Sequence, residues 1–138
     1  LDRFVQAQTS AFETALGELR AGCKRTHWMW FIFPQMRGLG RSPTAEFYGI
    51  QSLQEARAFL AHPLLGPRLA CATQAVLALD GRSLAEIFGN PDDLKFRSSM
   101  TLFSEAAGGA DNIYRQALAR YCDGSGDAET LSLLVFRC

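Results

Sequence analysis

The chain has 138 residues, with fourteen Lys and Arg against fourteen Asp and Glu, 48% hydrophobic residues and 20% charged ones. That length fits one domain, read here as 1–138, which buries roughly two thirds of its unfolded surface without a metal or disulfide staple. The composition excludes a disordered chain, and the charge balance removes the bulk electrostatic case for nucleic acid or an anionic membrane as partner, leaving room only for a local basic patch.

Residues 2–21 read as a first helix. Phe4, Ala11, Ala15 and Leu19 form a stripe that Val5, Phe12 and Leu16 widen. Asp2 is positioned as its cap and Gly22 as its stop. Lys24, Arg25 and His27 follow the helix C-terminus, where positive groups are favoured. "THWMWFIF" at 26–33 is ambiguous by period. It is read as a helix capped by Thr26, because no other stretch offers a strand to pair with it. Pro34 ends it. A turn-rich loop with Gly38 and Gly40 covers 34–43, and Ser42-Pro43 opens a short helix through Phe47.

Ser52 and Glu55 form a capping box that starts a helix ending near Ala61, with Leu53, Ala56, Phe59 and Leu60 inward. The next helix spans about 64–80, with Leu65, Leu69, Ala72, Val76 and Leu79 on its apolar face and Gly81 closing it. Ser83 and Glu86 repeat the box ahead of Ile87 and Phe88. Asn90-Pro91 reads as cap and first residue of a helix to Ala107, its first turn carrying Asp92 and Asp93. Gly108-Gly109 breaks it. A helix at 111–122 turns Ile113, Tyr114, Ala117, Leu118 and Tyr121 inward. After the loop 123–127, Asp127 caps a last short helix to Leu134. The expected class is all-α, with seven or eight helices. No reading is made of the closing "VFRC".

The four cysteines, Cys23, Cys71, Cys122 and Cys138, hold no C-x-x-C pair and read as incidental thiols in a reducing compartment. Two histidines and scattered thiols do not make a zinc pattern, so no metal or other cofactor is expected. No apolar run approaches the roughly 20 residues of a spanning helix. The chain does not begin with Met, its start reads as processed or trimmed, and a cytoplasmic location is the default.

Two stretches stand apart, "RTHWMWFIFPQMRGLGRSPTAEFYGI" at 25–50 and "IFGNPDDLKFRSSMTLF" at 87–103. With the opening "LDRFVQAQ" and "HPLLGPRL" at 62–69, they resemble the DUF1810 family of small helical bacterial and fungal proteins. The resemblance runs from Leu1 to about Leu134, leaving the "VFRC" tail outside the family pattern. It implies a compact multihelical fold and a soluble intracellular protein, and it implies no chemistry. The calpain-inhibitor (calpastatin) label of some relatives does not carry over, because such inhibitors are long, disordered and repetitive.

Chemistry-bearing residues gather in the same two stretches. His27 and Trp30 are expected on one side of the aromatic segment. Beyond it, Gln35, Arg37 and Arg41 alternate with glycines that permit close backbone approach, a weak anion-cradle pattern lacking phosphate-loop spacing. On the second segment, Asp92–Lys95 and Asp93–Arg97 are surface ion pairs by one reading. By the other, Lys95, Arg97, Ser98 and Ser99 wall a pocket for a carboxylate or phosphate. No G-x-S-x-G elbow exists for serine chemistry, and adjacent Asp92 and Asp93 point about 100° apart on a helix, too divergent for a two-carboxylate glycosidase pair.

Three functions stay open. The first is a binding module whose cleft joins 26–41 to the 91–107 helix and takes a small anionic or nucleotide-like ligand with His27, Trp30, Gln35, Arg37, Lys95, Arg97 and Ser98. The second is an enzyme in that cleft acting on a nucleotide or glycosidic bond, with His27 or Asp92 as acid/base. The third is a protein-interaction domain with an exposed aromatic surface, its partner unspecified.

Overall fold

Helix α1 (Asp2–Ala21) forms over the span its apolar stripe marks, with Phe4, Ala15 and Leu19 fully buried. Gly22 ends it at φ 80°, a left-handed geometry suited to a residue without Cβ. Asp2 is not the cap: Leu1 holds that position, and Asp2 lies in the first turn, where its charge still meets the helix dipole favourably. The computed structural model describes the backbone of residues 1–137 and the side chains of residues 1–135. Cys138 and the end of the "VFRC" tail lie outside the described residues.

The aromatic segment becomes only a four-residue helix, α2 (Met29–Ile32). Thr26 does not cap it. The Glu18 carboxylate on α1 accepts from the backbone N–H groups of Arg25 (2.6 Å) and Thr26 (3.0 Å), the Thr26 hydroxyl (2.6 Å) and the Trp28 indole (2.9 Å). Those four bonds hold 25–28 in a non-helical path and supply the Trp28 indole with a carboxylate. α3 (Pro43–Phe47) starts as expected, the Ser42 hydroxyl accepting from the Ala45 N–H. A parallel bridge pairs Met36, ahead of α3, with Ile50, beyond it.

In α4 (Leu53–Ala61) the Ser52 hydroxyl takes the Glu55 N–H, but Glu55 does not complete the box. Its carboxylate accepts from the Gln51 N–H and pairs with Arg3 at 3.1 Å. α5 (Leu65–Leu77) stops short of Gly81 because the Arg120 guanidinium donates to the carbonyls of Leu77 and Leu79, replacing the next helical turn. His62, the second histidine of the sequence, is spent at the other end of α5, where its Nδ1 accepts from the N–H groups of Leu64 and Leu65. α6 (Leu84–Phe88) has the full Ser83/Glu86 capping box.

α7 (Asp92–Ala107) begins one residue later than expected, with Pro91 rather than Asn90 at the cap position. It packs against α4, α6, α8 (Ile113–Tyr121) and α9 (Ala128–Arg137), so it is the central helix of the fold. Phe96, Met100, Leu102 and Phe103 are fully buried on it. Hydroxyls fill the gaps: Ser98, Thr101 and Ser104 donate back to carbonyls three or four residues earlier, the usual way a hydroxyl is tolerated inside a helix. Asp127 caps α9 as expected, accepting from the Thr130 N–H and hydroxyl, and that helix runs past Leu134.

Nine helices are present among the described residues, three of them, α2, α3 and α6, only four or five residues long. Their shared core centres on an aromatic cluster. Phe33 meets Phe88 and Phe96 edge-on at 5.9 and 5.1 Å, and Phe88 stacks on Phe96 at 4.8 Å. Each such pair adds about 0.5–1.5 kcal/mol beyond its area burial. This cluster joins the aromatic segment to α6 and α7, bringing the two distinctive stretches of sequence together.

Candidate ligand cleft

Pro34 and the Met36–Ile50 bridge set the near wall. The Ile50 N–H donates to the Gln35 carbonyl (2.9 Å) and the Arg37 N–H to the Ile50 carbonyl (2.8 Å), while the Met36 side chain enters the core. Gln35, on the outer side, then faces a cleft of about 270 Å³ that Leu39 and Gly40 also line. The opposite wall is the first turns of α7, which contribute Leu94, Lys95 and Ser98 behind Pro91. The start of α9 closes a third side with Asp127 and Glu129. An adjoining recess of about 250 Å³ shares Glu129 and continues along Gly38, Ser132 and Leu133.

Lys95, the cation of the cleft lining, belongs to a charged group whose other members lie outside that lining. The Lys95 ammonium lies 4.2 Å from the centre of the Trp30 ring, a cation–π contact, and 3.3 Å from one oxygen of Asp92. The other Asp92 oxygen lies 2.9 Å from the ammonium of Lys24, which in turn stands 5.2 Å from the Trp28 ring centre. Two ammonium groups thus share one carboxylate, each beside a tryptophan, and the group carries one net positive charge. The Lys24 side chain is only 8% exposed and that of Lys95 23%, so water screens this charge incompletely. Trp30 adds an indole N–H that is buried without a hydrogen-bond partner among the described residues.

Of the residues singled out in the sequence, Gln35, Lys95 and Ser98 line the cleft, and Trp30 lies under the Lys95 ammonium. The other three go elsewhere. His27 is exposed on the bend before α2 and is absent from the cleft lining. Arg37 turns toward α3, where its Nε donates to the Glu46 carbonyl. Arg97 does not pair with Asp93. Its guanidinium donates to the Ser125 carbonyl and hydroxyl and to the Gly126 carbonyl, fastening the loop before α9. It borders a separate recess of about 430 Å³ with Tyr121, Cys122 and Asp123.

Sequence reasoning missed the acidic side of the cleft. In the sequence Asp127 reads only as a cap and Glu129 carries no signal, because nothing in a short terminal helix indicates which part of the molecule it covers. Lys24 reads from the sequence as a helix-end cation. Its partner Asp92 is nearly seventy positions away, beyond the reach of local spacing.

Other chemistry is sparse. Among the described residues no group of three metal-ligating side chains is present, and Cys23, Cys71 and Cys122 are free. No helix among them is long and apolar enough to cross a membrane. Burial pushes the Cys122 thiol up from its ordinary range, only partly opposed by nearby Arg97, so it is a poor nucleophile.

No curated protein matches the chain. A crystal structure of the conserved hypothetical protein Rv1873 from Mycobacterium tuberculosis superposes with a TM-score of 0.94. The two share 54% sequence identity over 97% of this chain and 95% of the other. The profile described as "Protein of unknown function (DUF1810)" matches residues 1–134, the stretch that carries the aromatic segment, the Lys24–Asp92–Lys95 group and all three walls of the cleft. The chain belongs to the DUF1810 family.

Proposed function

We propose that this protein binds a small anionic ligand in the cleft between the 35–40 loop and α7. The observation that carries this reading is the ammonium of Lys95, a residue of the cleft wall, set over the Trp30 ring and sharing Asp92 with Lys24. One carboxylate between two ammonium groups leaves attraction for a further negative charge. Gln35, whose side-chain amide has no hydrogen-bond partner among the described residues, supplies a neutral donor and acceptor on the facing wall.

Binding fits better than catalysis. Neither histidine lines the cleft, and both Asp92 oxygens are already engaged by ammonium groups.

The test is calorimetric titration with inorganic phosphate and small phosphate esters. Lys95→Met keeps the side-chain stem over Trp30 and removes the charge. It is expected to weaken binding at least tenfold, while Arg57→Ala, at an exposed site on α4, leaves it unchanged. Equal binding by Lys95→Met and the parent protein would refute the reading.

A further inference from the structure

The cleft has two electrostatic ends, and this narrows the ligand. Resting on the anion-binding reading above, we infer that the ligand is a phosphorylated sugar, free or as the sugar phosphate of a nucleotide. Its phosphoryl group lies at Lys95 and its ring hydroxyls face the carboxylates of Asp127 and Glu129.

Lys95 sits on the α7 wall, and Asp127 and Glu129 line the α9 side of the same cleft. A compact polyanion that filled the cleft would set negative charge against Glu129 and gain nothing there. A wholly cationic ligand would meet Lys95. A group that is negative at one end and rich in O–H donors at the other suits both ends, because ionised carboxylates act only as acceptors and bind hydroxyls strongly.

Asp127 has one oxygen to offer: Oδ2 is taken by Thr130, and Oδ1 has no protein partner among the described residues. Glu129 is exposed in the first turn of α9, with no ion pair or hydrogen bond to its carboxylate among the described residues. Leu39, Gly40, Pro91 and Leu94 supply the apolar part of the cleft and give the carbon face of a sugar ring a surface to lie on.

The volume of about 270 Å³ falls below the roughly 300–1,000 Å³ common for drug-sized ligands, which matches a sugar phosphate better than a whole dinucleotide. The neighbouring recess that shares Glu129 gives a base attached to the sugar a direction in which to extend.

The experiment is titration of the intact protein with inorganic phosphate, ribose 5-phosphate, 2-deoxyribose 5-phosphate and adenosine 5′-monophosphate. Ribose 5-phosphate is expected to bind at least tenfold more tightly than its 2-deoxy analogue. Tighter binding of the nucleotide than of ribose 5-phosphate identifies the nucleotide as the source of the sugar phosphate, and the reverse identifies the free sugar. In Glu129→Ala the ribose-to-deoxyribose preference should fall below threefold, while inorganic phosphate binds more tightly than in the parent because a repelling charge is gone. A merely structural Glu129 would not move these two ligands in opposite directions.

Equal binding of the ribose and deoxyribose esters overturns the inference. If inorganic phosphate still binds and still depends on Lys95, the anion-binding reading survives that result. If no phosphate compound binds, both fall.

Discussion

Lys95 holds its ammonium 4.2 Å from the centre of the Trp30 ring, while the indole N–H of the same tryptophan is buried without a partner. The contact is one of two alike, since Lys24 meets Trp28 in the same manner and Asp92 joins the two lysines. Trp30 therefore reports on the cleft. An anion drawn to Lys95 changes the field at the ring, so its fluorescence should shift on binding. Trp30→Phe keeps a ring beneath Lys95 and removes that signal. A phosphate-induced fluorescence change that persists in Trp30→Phe would place the responding tryptophan elsewhere.

Glu18 gives the protein an acid-sensitive joint. Burial raises its carboxyl, but the Thr26 hydroxyl, the N–H groups of Arg25 and Thr26 and the Trp28 indole outweigh it and bring the pKa down from 4.5 to about 2. A carboxyl that is more acidic folded than unfolded stabilises the fold above the unfolded value. That contribution is complete above about pH 5 and declines as pH falls from 4.5 toward 2. Glu18→Gln cannot replace four bonds to a charged acceptor and should lower the melting temperature at pH 7. The difference from the parent should shrink between pH 4.5 and 2. A difference that stays constant over that range would show that ionisation of Glu18 is not what holds the 25–28 bend.

Arg97 is expected to matter for the α9 approach rather than for the ligand. Its three donated bonds end on Ser125 and Gly126. Arg97→Ala should cost about 1 kcal/mol, because water reaches the exposed Ser125 acceptors once the guanidinium is gone. Amide exchange should rise across 123–127 and spare α1. Phosphate affinity should change less than threefold. A loss of affinity as large as in Lys95→Met, without altered exchange in that loop, would return Arg97 to the site.

Phe96 ties the aromatic segment to the central helix through Phe33 and Phe88. It is fully buried, and Phe96→Ala should cost about 3–5 kcal/mol in chemical denaturation. Exposed Leu94 is the comparison on the same helix. Leu94→Ala should cost under about 1 kcal/mol, as expected of a surface change. Similar losses at both positions would contradict the orientation of α7.

Much of the fold is written locally in the sequence. Ser42, Ser83, Asn112 and Asp127 each cap a helix because a short polar side chain reaches the N–H groups of the next turn. Ser42, Ser83 and Asp127 were legible as caps from spacing alone. Other features depend on partners far along the chain. The aromatic segment is a bend and one helical turn rather than an eight-residue helix because Glu18 captures its first donors. α5 ends early because Arg120, more than forty residues away, takes its carbonyls. The candidate site divides in the same way. Gln35, Lys95 and Ser98 could be found from their polar character beside apolar runs, whereas Arg37 and Arg97 had the right chemistry and were claimed by backbone carbonyls, those of Arg97 nearly thirty residues away. Periodicity reveals which face of a helix is apolar and is silent on which distant loop a surface arginine fastens.

The measurement that bears most directly on the cleft is titration of inorganic phosphate into the parent protein and Lys95→Met, with circular dichroism confirming that both are folded. Saturable binding at one site in the parent, weakened at least tenfold in Lys95→Met, is the expected result. Binding of equal strength in both proteins, or phosphate binding abolished by Arg97→Ala but not by Lys95→Met, would contradict a cleft organised around Lys95.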